Sequence, residues 1–317
     1  MELMANDLSL HGQFPTVALF RESVETVMTM RRVAQRFGRA LYCHRNMAHA
    51  QVTPQIIMPQ AIQEFPLNER RALISWLNRL GPFWDDVREH GADDYLEFNG
   101  DVVTDSAVGE AAYCGIHGID RRLVSLVPSV WELSPLTVNW LPDAADPRSV
   151  DVINYTSVND LEAALLASPN PVESWEQLGE ICVARYDNLI FSADAFQALQ
   201  GYPFIAAAAQ RILVLLETLS TFKSCFDENG ERTAKGHRLY QDHFTGDNAW
   251  FSDSSDDEKL RFIDQLTFAH PEAPGEYLFC TMHGKIKTHQ LRIHFSSPVT
   301  ANTPLYVVYV GPKITKR

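Results

Sequence analysis

Four side chains near the C-terminal end of the sequence combine two proton-transfer groups with two fixed cations. They are His283, Lys285, Arg292 and His294. Imidazole exchanges protons near neutral pH, and lysine and arginine stabilise phosphoryl charge. These residue types suit metal-independent RNA cleavage, in which one group deprotonates the 2′-OH and another protonates the leaving oxygen. They also suit phosphate binding without chemistry, and a solvated strand face with incidental histidines is the third interpretation.

The residues around them alternate with a period of two, which is typical of a half-buried strand. Leu291, Ile293 and Phe295 alternate with Arg292 and His294. A tight turn at 288–289 would pair residue 283 with 294 and residue 285 with 292. The polar side chains would then project from one side, and the apolar ones would face a core. Any even-length turn keeps this arrangement, and a bulge or an odd loop breaks it.

Apolar runs lie on both sides of this strand. Residues 277–280 form the first run and residues 305–310 the second, which stops at Gly311-Pro312. Three consecutive short strands predict an antiparallel meander over residues 276–311, with Leu291, Ile293 and Phe295 buried.

Basic residues are concentrated in the same segment. From residue 283 onward the sequence has six lysines or arginines and no carboxylate, whereas the preceding 282 residues carry a net charge of −19, from 21 basic and 40 acidic residues. Lys287, Lys313 and Lys316 extend the set, and we expect them to bind nucleic acid. A basic segment on an acidic body could also dock on a partner.

The rest of the chain predicts an α+β protein. A mixed α/β domain is expected over residues 1–145, with a helix at 16–37 and a hairpin at Asn99-Gly100. A helical middle region follows over residues 146–235. Residues 236–317 then form a basic α+β domain, in which a small antiparallel three-stranded meander packs on helices.

Composition indicates a cytoplasmic protein. The 317 residues carry a net charge of −13, and the five cysteines are odd in number and far apart, which favours reduced thiols. The N-terminal residues lack the pattern of a signal peptide, and polar residues interrupt the longest apolar stretch, 204–222. We therefore expect no membrane partner and no cofactor.

Three weaker patterns leave alternatives open. Cys43, His49, Cys114 and His117 could assemble a zinc site, although buried cysteines near surface histidines are much commoner. The segment SDSSDDE at 252–258 fits a helix-capping box better than a cation loop. Tyr240 and His243, in the segment 235–244, either pack in an amphipathic helix or add to the basic site.

The C-terminal segment resembles a known group of proteins. The stretches HGKI, RIHF and YVGPKITK, within residues 244–317, are similar to the C-terminal domain of uncharacterised prokaryotic proteins found among mobile-element and phage-defence genes. A weaker resemblance is to RelE-type ribonuclease toxins, in which helices precede a small antiparallel sheet that faces mRNA. The second resemblance implies an RNA face formed by His283, Lys285, Arg292, His294 and Lys313. Those toxins are short and strongly basic, whereas this chain is long and acidic.

Together these patterns predict a bacterial anti-phage defence or toxin-like protein whose C-terminal domain acts on nucleic acid, with RNA favoured over DNA. Metal-independent cleavage would use His283, His294, Lys285 and Arg292. The alternative is a non-enzymatic accessory subunit of a defence complex, in which the basic segment docks on a partner protein or on nucleic acid without cutting it.

Overall fold

The computed structural model describes residues 1–142, 146–246 and 249–315. Contacts divide the chain into two compact units, Met1–Pro171 and Val172–Arg317. Helices accompany both parallel and antiparallel sheets, which confirms the predicted α+β class. The predicted domain boundary at residue 145 lies outside the described residues, and two strands within 148–155 pair with strands of the first unit.

The first unit begins with a strand, and its remaining elements follow in chain order. In the described ranges they are β1 (Glu2–Ala5), α1 (Val17–Arg36), β2 (Leu41–Tyr42), α2 (Met58–Ala61), α3 (Leu67–Ile74), β3 (Leu96–Phe98), β4 (Asp101–Val102), α4 (Ala107–Ile116), β5 (Arg121–Val124), β6 (Leu136–Trp140), β7 (Arg148–Val152), β8 (Asn154–Tyr155) and α5 (Val158–Leu166).

Two sheets organise this unit. Among the described residues, the parallel sheet has the strand order β2-β1-β5-β8, and the antiparallel sheet has the order β4-β3-β6-β7. Both faces of the parallel sheet are covered: Leu3 and Ala5 pack in the core that contains α1, and Met4 packs in the core that contains α4. Parallel strands are commonly buried on both faces in this way.

Two local predictions for this unit are confirmed. The helix expected at 16–37 spans Val17–Arg36, and the Thr16 hydroxyl accepts a hydrogen bond from the Leu19 N–H as its N-cap. The hairpin expected at Asn99-Gly100 joins β3 to β4, with φ angles of 52° and 90° at the two turn residues.

Helix α4 packs against both sheets and is buried on all sides from Ala107 to Cys114. The buried segment includes a carboxylate, Glu110, which is 0% exposed. It accepts a hydrogen bond from the Glu89 N–H at 2.9 Å and contacts the His90 imidazole and the Arg121 guanidinium. Burial alone would raise the pKa of Glu110, but His90 and Arg121 lower it to about 2. The carboxylate is therefore ionised and fully paired inside the core.

The second unit contains the remaining helices and strands. In the described ranges they are α6 (Trp175–Arg185), β9 (Ile190–Phe191), α7 (Ala206–Lys223), α8 (Ala234–Phe244), β10 (Phe251–Ser252), α9 (Asp256–Arg261), β11 (Thr267–Ala269), β12 (Tyr277–Phe279), β13 (His283–Ile286), β14 (Leu291–Phe295) and β15 (Tyr306–Pro312).

The antiparallel three-stranded meander is confirmed as β13, β14 and β15. It is the centre of a sheet that has five strands in the described residues, in the order β10-β13-β14-β15-β9. Leu291, Ile293 and Phe295 are buried, as expected. The prediction was wrong about the apolar run at 277–280, which does not belong to the meander: it contributes β12, which pairs with β11 in a separate two-stranded sheet, and the first strand of the meander begins at His283.

The apolar face of the meander packs against α7 and α8. A Cβ atom at Gly284 would lie 3.1 Å from the Phe251 ring and 3.5 Å from Leu215 of α7, so only a glycine fits easily at this contact. Phe244 of α8 stacks on Phe251, with ring centroids 4.5 Å apart. The opposite face carries the polar residues singled out from the sequence. No helix in the described part of the chain is long and apolar enough to cross a membrane.

Candidate nucleic-acid interface

The hairpin of β13 and β14 has the strand register expected from the sequence. His283 pairs with His294, and Lys285 pairs with Arg292. The connection spans residues 287–290, which is an even number, so the pairing is kept although the loop is longer than two residues. We call these four side chains, which share one side of the hairpin, the basic face.

Both histidines of the basic face are buried, at 8% and 2% exposure for His283 and His294, and their rings lie 5.3 Å apart. His283 Nδ1 lies 3.2 Å from the Thr281 carbonyl oxygen, and His294 Nδ1 lies 3.0 Å from that of Cys280. A carbonyl oxygen can only accept, so each Nδ1 carries the proton and each Nε2 of the neutral ring keeps its lone pair.

Burial keeps both rings neutral. It lowers the pKa of His283 to about 4, and Arg292 adds to this effect. It also lowers the pKa of His294 to about 4, with smaller contributions from His283 and Arg292. The hydrogen bonds to the carbonyl oxygens oppose these shifts only in part. At neutral pH the two residues can accept a proton but hold none to donate from Nε2.

The two cations of the basic face are partly buried. Within the described residues, neither Lys285 nor Arg292 forms an ion pair with a carboxylate. Arg292 donates from Nη1 to the Leu291 carbonyl oxygen at 2.8 Å, while its buried Nε has no hydrogen-bond partner in the described part of the chain. Burial lowers the pKa of both side chains. Arg292 lowers that of Lys285 further, whereas the Glu258 carboxylate opposes the shift of Arg292 in part.

A carboxylate that sequence reasoning missed lies at the border of the basic face. Glu258 Oε1 accepts hydrogen bonds from Lys313 Nζ and from Thr315 Oγ1, both at 2.8 Å. Burial alone would raise the pKa of Glu258, but these two contacts lower it to about 2. Glu258 also completes the capping box predicted with Ser255. The box was visible in the sequence, whereas the contact with Lys313 depends on tertiary packing.

The other sequence-predicted residues have different surroundings. Lys287 is exposed at the start of the connecting loop, and Lys316 lies outside the described residues. Lys313 is held by Glu258. Tyr240 and His243 lie on α8, which packs on the apolar face of the sheet, so they do not join the basic face.

The alternative zinc set is not assembled. Within the described residues, no group of three or more histidines, cysteines, aspartates or glutamates is placed to hold a metal ion. The Cys43 thiol donates to the Trp76 carbonyl oxygen at 3.7 Å, and the Cys114 thiol donates to Glu110 at 3.5 Å. All five cysteines are free and buried.

The basic face therefore places two cations, neither in an ion pair with a carboxylate of the described residues, beside two neutral imidazoles. An anion bound at Lys285 and Arg292 would satisfy unused donors and relieve the repulsion between the cations. The same anion would raise the pKa of each histidine, because a nearby negative charge favours imidazolium.

Because His283 and His294 are buried as neutral rings, we expect the stability of the protein to depend on pH. The unfolded chain protonates them near pH 6.5 and the folded chain near pH 4, so stability is lost as the pH falls through this window. A single histidine with this shift contributes about 3 kcal/mol, and the two are not additive because they interact. Urea unfolding at pH 7.5 and pH 5 measures the loss.

The variant that carries both His283→Asn and His294→Asn should lose less stability between these two pH values. The exposed His237 of α8 provides the control, and His237→Asn should leave the pH dependence unchanged. Equal pH dependence in the wild type and the double variant would contradict the assignment.

Comparisons of the chain with protein-family models, with curated proteins and with solved structures find no match in any of the three. The resemblance of the segments around HGKI, RIHF and YVGPKITK therefore stays a prediction.

Proposed function

We propose that the basic face binds the phosphate groups of nucleic acid, and that the protein acts in the bacterial cytoplasm as an anti-phage defence or toxin-like protein. The observation that carries the proposal is the Lys285–Arg292 pair. These residues lie directly opposite each other, are partly buried and form no ion pair with a carboxylate of the described residues. The resemblance to RelE-type toxins favours RNA over DNA.

Electrostatics supports this proposal, because the Lys285 and Arg292 side chains repel each other when no anion lies between them. Like charges directly opposite on neighbouring strands destabilise a sheet, and partial burial adds a desolvation cost. Both costs fall when an anion binds. A phosphodiester suits the pair, since the guanidinium offers two parallel donors and the ammonium acts as a point charge.

A second candidate activity is metal-independent RNA cleavage. The observation that favours it is the pair of neutral imidazoles beside the cations, whose Nδ1 hydrogen bonds leave Nε2 able to accept a proton. One Nε2 would take the proton of a 2′-OH as its oxygen bonds to phosphorus. The other, once a bound phosphate has raised its pKa, would take a proton from solvent and give it to the 5′ oxygen as the bond from phosphorus to that oxygen breaks. Lys285 and Arg292 would stabilise the phosphoryl charge.

The alternative is a non-enzymatic accessory subunit of a defence complex. In that case the two cations contact nucleic acid or a partner protein, and the histidines only pack the sheet. Proton transfer distinguishes the two cases, because substitution of the histidines would change a reaction rate in the first and only stability in the second.

The binding proposal is tested with the double variant Lys285→Gln and Arg292→Gln. We expect it to bind a labelled single-stranded RNA about 10–100-fold more weakly, because two charge-assisted contacts are lost. The salt dependence of binding should also fall, by roughly 0.7 in the log–log slope for each phosphate contact removed. Fluorescence anisotropy at several salt concentrations measures both quantities.

The exposed Lys235 of α8 provides the matched control, since Lys235→Gln removes a positive charge from the same unit. It should leave the affinity nearly unchanged. A folded double variant that binds RNA as tightly as the wild type would overturn the proposal.

A further inference from the structure

A groove of about 870 Å³ lies in the second unit between α6 and the segment that contains β9. The helix contributes one long side of it, from Trp175 to Val183. Gly179 on this side of the groove faces the Phe196 ring, and a Cβ atom there would lie 3.4 Å from the ring, in ordinary van der Waals contact. Apolar side chains form part of its floor, and Tyr186 and Leu189 are among its buried residues.

The charges around this groove have a single sign. Its lining includes the exposed carboxylates Glu176, Glu180, Asp187 and Asp194, and no lysine, arginine or histidine among the described residues lines it. On α6 the first two are four residues apart and therefore share one helix face. This groove is separate from the basic face: β15 lies between β14 and β9 in the sheet. The negative charge of the groove would repel nucleic acid and attract a cationic ligand.

The strand that borders the groove is the edge of its sheet. In the described residues β9 is last in the strand order and pairs with β15. The Ile190 N–H donates to the Leu305 carbonyl oxygen at 2.9 Å, and the Ser192 N–H donates to that of Val307 at 3.0 Å. Because alternate residues of a strand pair on opposite sides, the N–H and C=O groups of Phe191 point away from β15. The residues of β9 are partly exposed, and an edge strand of this kind pairs readily with another extended chain.

We propose that this groove binds an extended, lysine- or arginine-rich segment of a partner protein, which adds to β9 as a further strand. Backbone hydrogen bonds to Phe191 would hold the segment, in the mode known as β-augmentation. Its basic side chains would pair with Glu176, Glu180 and Asp194, and its apolar side chains would cover the floor of the groove. The four carboxylates select a cationic segment over the acidic surface of a second copy of this chain, whose net charge is −13.

The test uses two labelled peptides of about eight residues, one alternating lysine with valine and one alternating glutamate with valine. Fluorescence anisotropy with the full chain should show binding of the lysine peptide only. Methylation of alternate backbone amides of the lysine peptide should weaken binding, since it removes the hydrogen bonds to the edge of β9. Equal binding of the two peptides would overturn the charge assignment, and full binding by both N-methylated registers would overturn strand addition.

A charge-reversal variant locates the site on the protein. The double variant Glu176→Lys and Glu180→Lys should bind the lysine peptide at least about tenfold more weakly. Glu228→Lys with Glu231→Lys makes the same change of net charge on an exposed loop outside the groove and should bind normally. Equal losses in both variants would overturn the proposal. A sedimentation coefficient that shows self-association in the wild type and not in the groove variant would overturn it too, because the occupant would then be a second copy.

Discussion

Replacing His283 or His294 with asparagine is expected to lower RNA cleavage by about 10²–10⁴-fold while RNA affinity stays nearly constant. The asparagine amide can still donate to the carbonyl oxygen that each Nδ1 reaches, so the local packing is retained. It has no counterpart of Nε2, the atom that would transfer the proton. Single-turnover cleavage of a labelled RNA measures the rate, and anisotropy measures the affinity.

The loop residue His289 supplies the matched control. It is exposed and has a φ angle of +54°, a conformation that asparagine adopts readily, so His289→Asn should fold and cleave normally. The cleavage hypothesis fails if both single variants cleave at the wild-type rate. If the Lys285→Gln and Arg292→Gln double variant also binds RNA with unchanged affinity, the basic face has no role in binding or cleavage.

The second large effect concerns the stability of the first unit. Glu110→Ala is expected to destabilise it by about 3–5 kcal/mol, because the substitution leaves the buried Arg121 guanidinium without its closest carboxylate and His90 without its acceptor. Glu2 still accepts from Arg121 Nε at 2.8 Å and limits the loss. Denaturant unfolding of the variant measures the change in the free energy of unfolding.

Glu162 provides the matched control, because it also pairs with an arginine in the first unit but lies at the surface. Its contact with Arg36 spans 3.1 Å, and the two side chains are 38% and 65% exposed. Glu162→Ala should therefore cost no more than about 1 kcal/mol. Similar losses in the two variants would show that burial does not determine the contribution of the Glu110 carboxylate.

The hairpin of β13 and β14 could be predicted because its strand pattern and register depend only on residues that are close together in the sequence. The alternation of Leu291, Ile293 and Phe295 defines the buried face, and the register to residues 283–286 depends only on an even connection. The capping box of α9 was predictable for the same reason, since Ser255 and Glu258 lie three residues apart.

The surroundings of the hairpin depend on distant residues and could not be predicted. His294 is buried partly because Phe268 of β11 approaches its ring, with centroids 5.9 Å apart. Glu258 reaches Lys313 only through tertiary packing. The pKa values of the two histidines are lowered chiefly by burial, which depends on such tertiary packing, so a pattern of residue types at fixed spacings could not have predicted them.

Two further features of the fold are built from strands too short to be predicted from the sequence. Strands β2, β8 and β9 have two residues each, which is too few to show any periodicity. The sequence-based prediction therefore lacked the parallel sheet of the first unit, and it lacked the edge strand β9 beside the groove of the second unit.

The place of β1 in the middle of the parallel sheet has a consequence for synthesis on the ribosome. This strand can pair with β2 early, but its other neighbour is β5, at residues 121–124. At about 5–20 residues per second, translation of residues 43–120 takes on the order of ten seconds, and during that time one edge of a hydrophobic strand stays open. Nascent chains of this protein should therefore bind chaperones until β5 has emerged from the exit tunnel, and slower translation of this interval should increase aggregation.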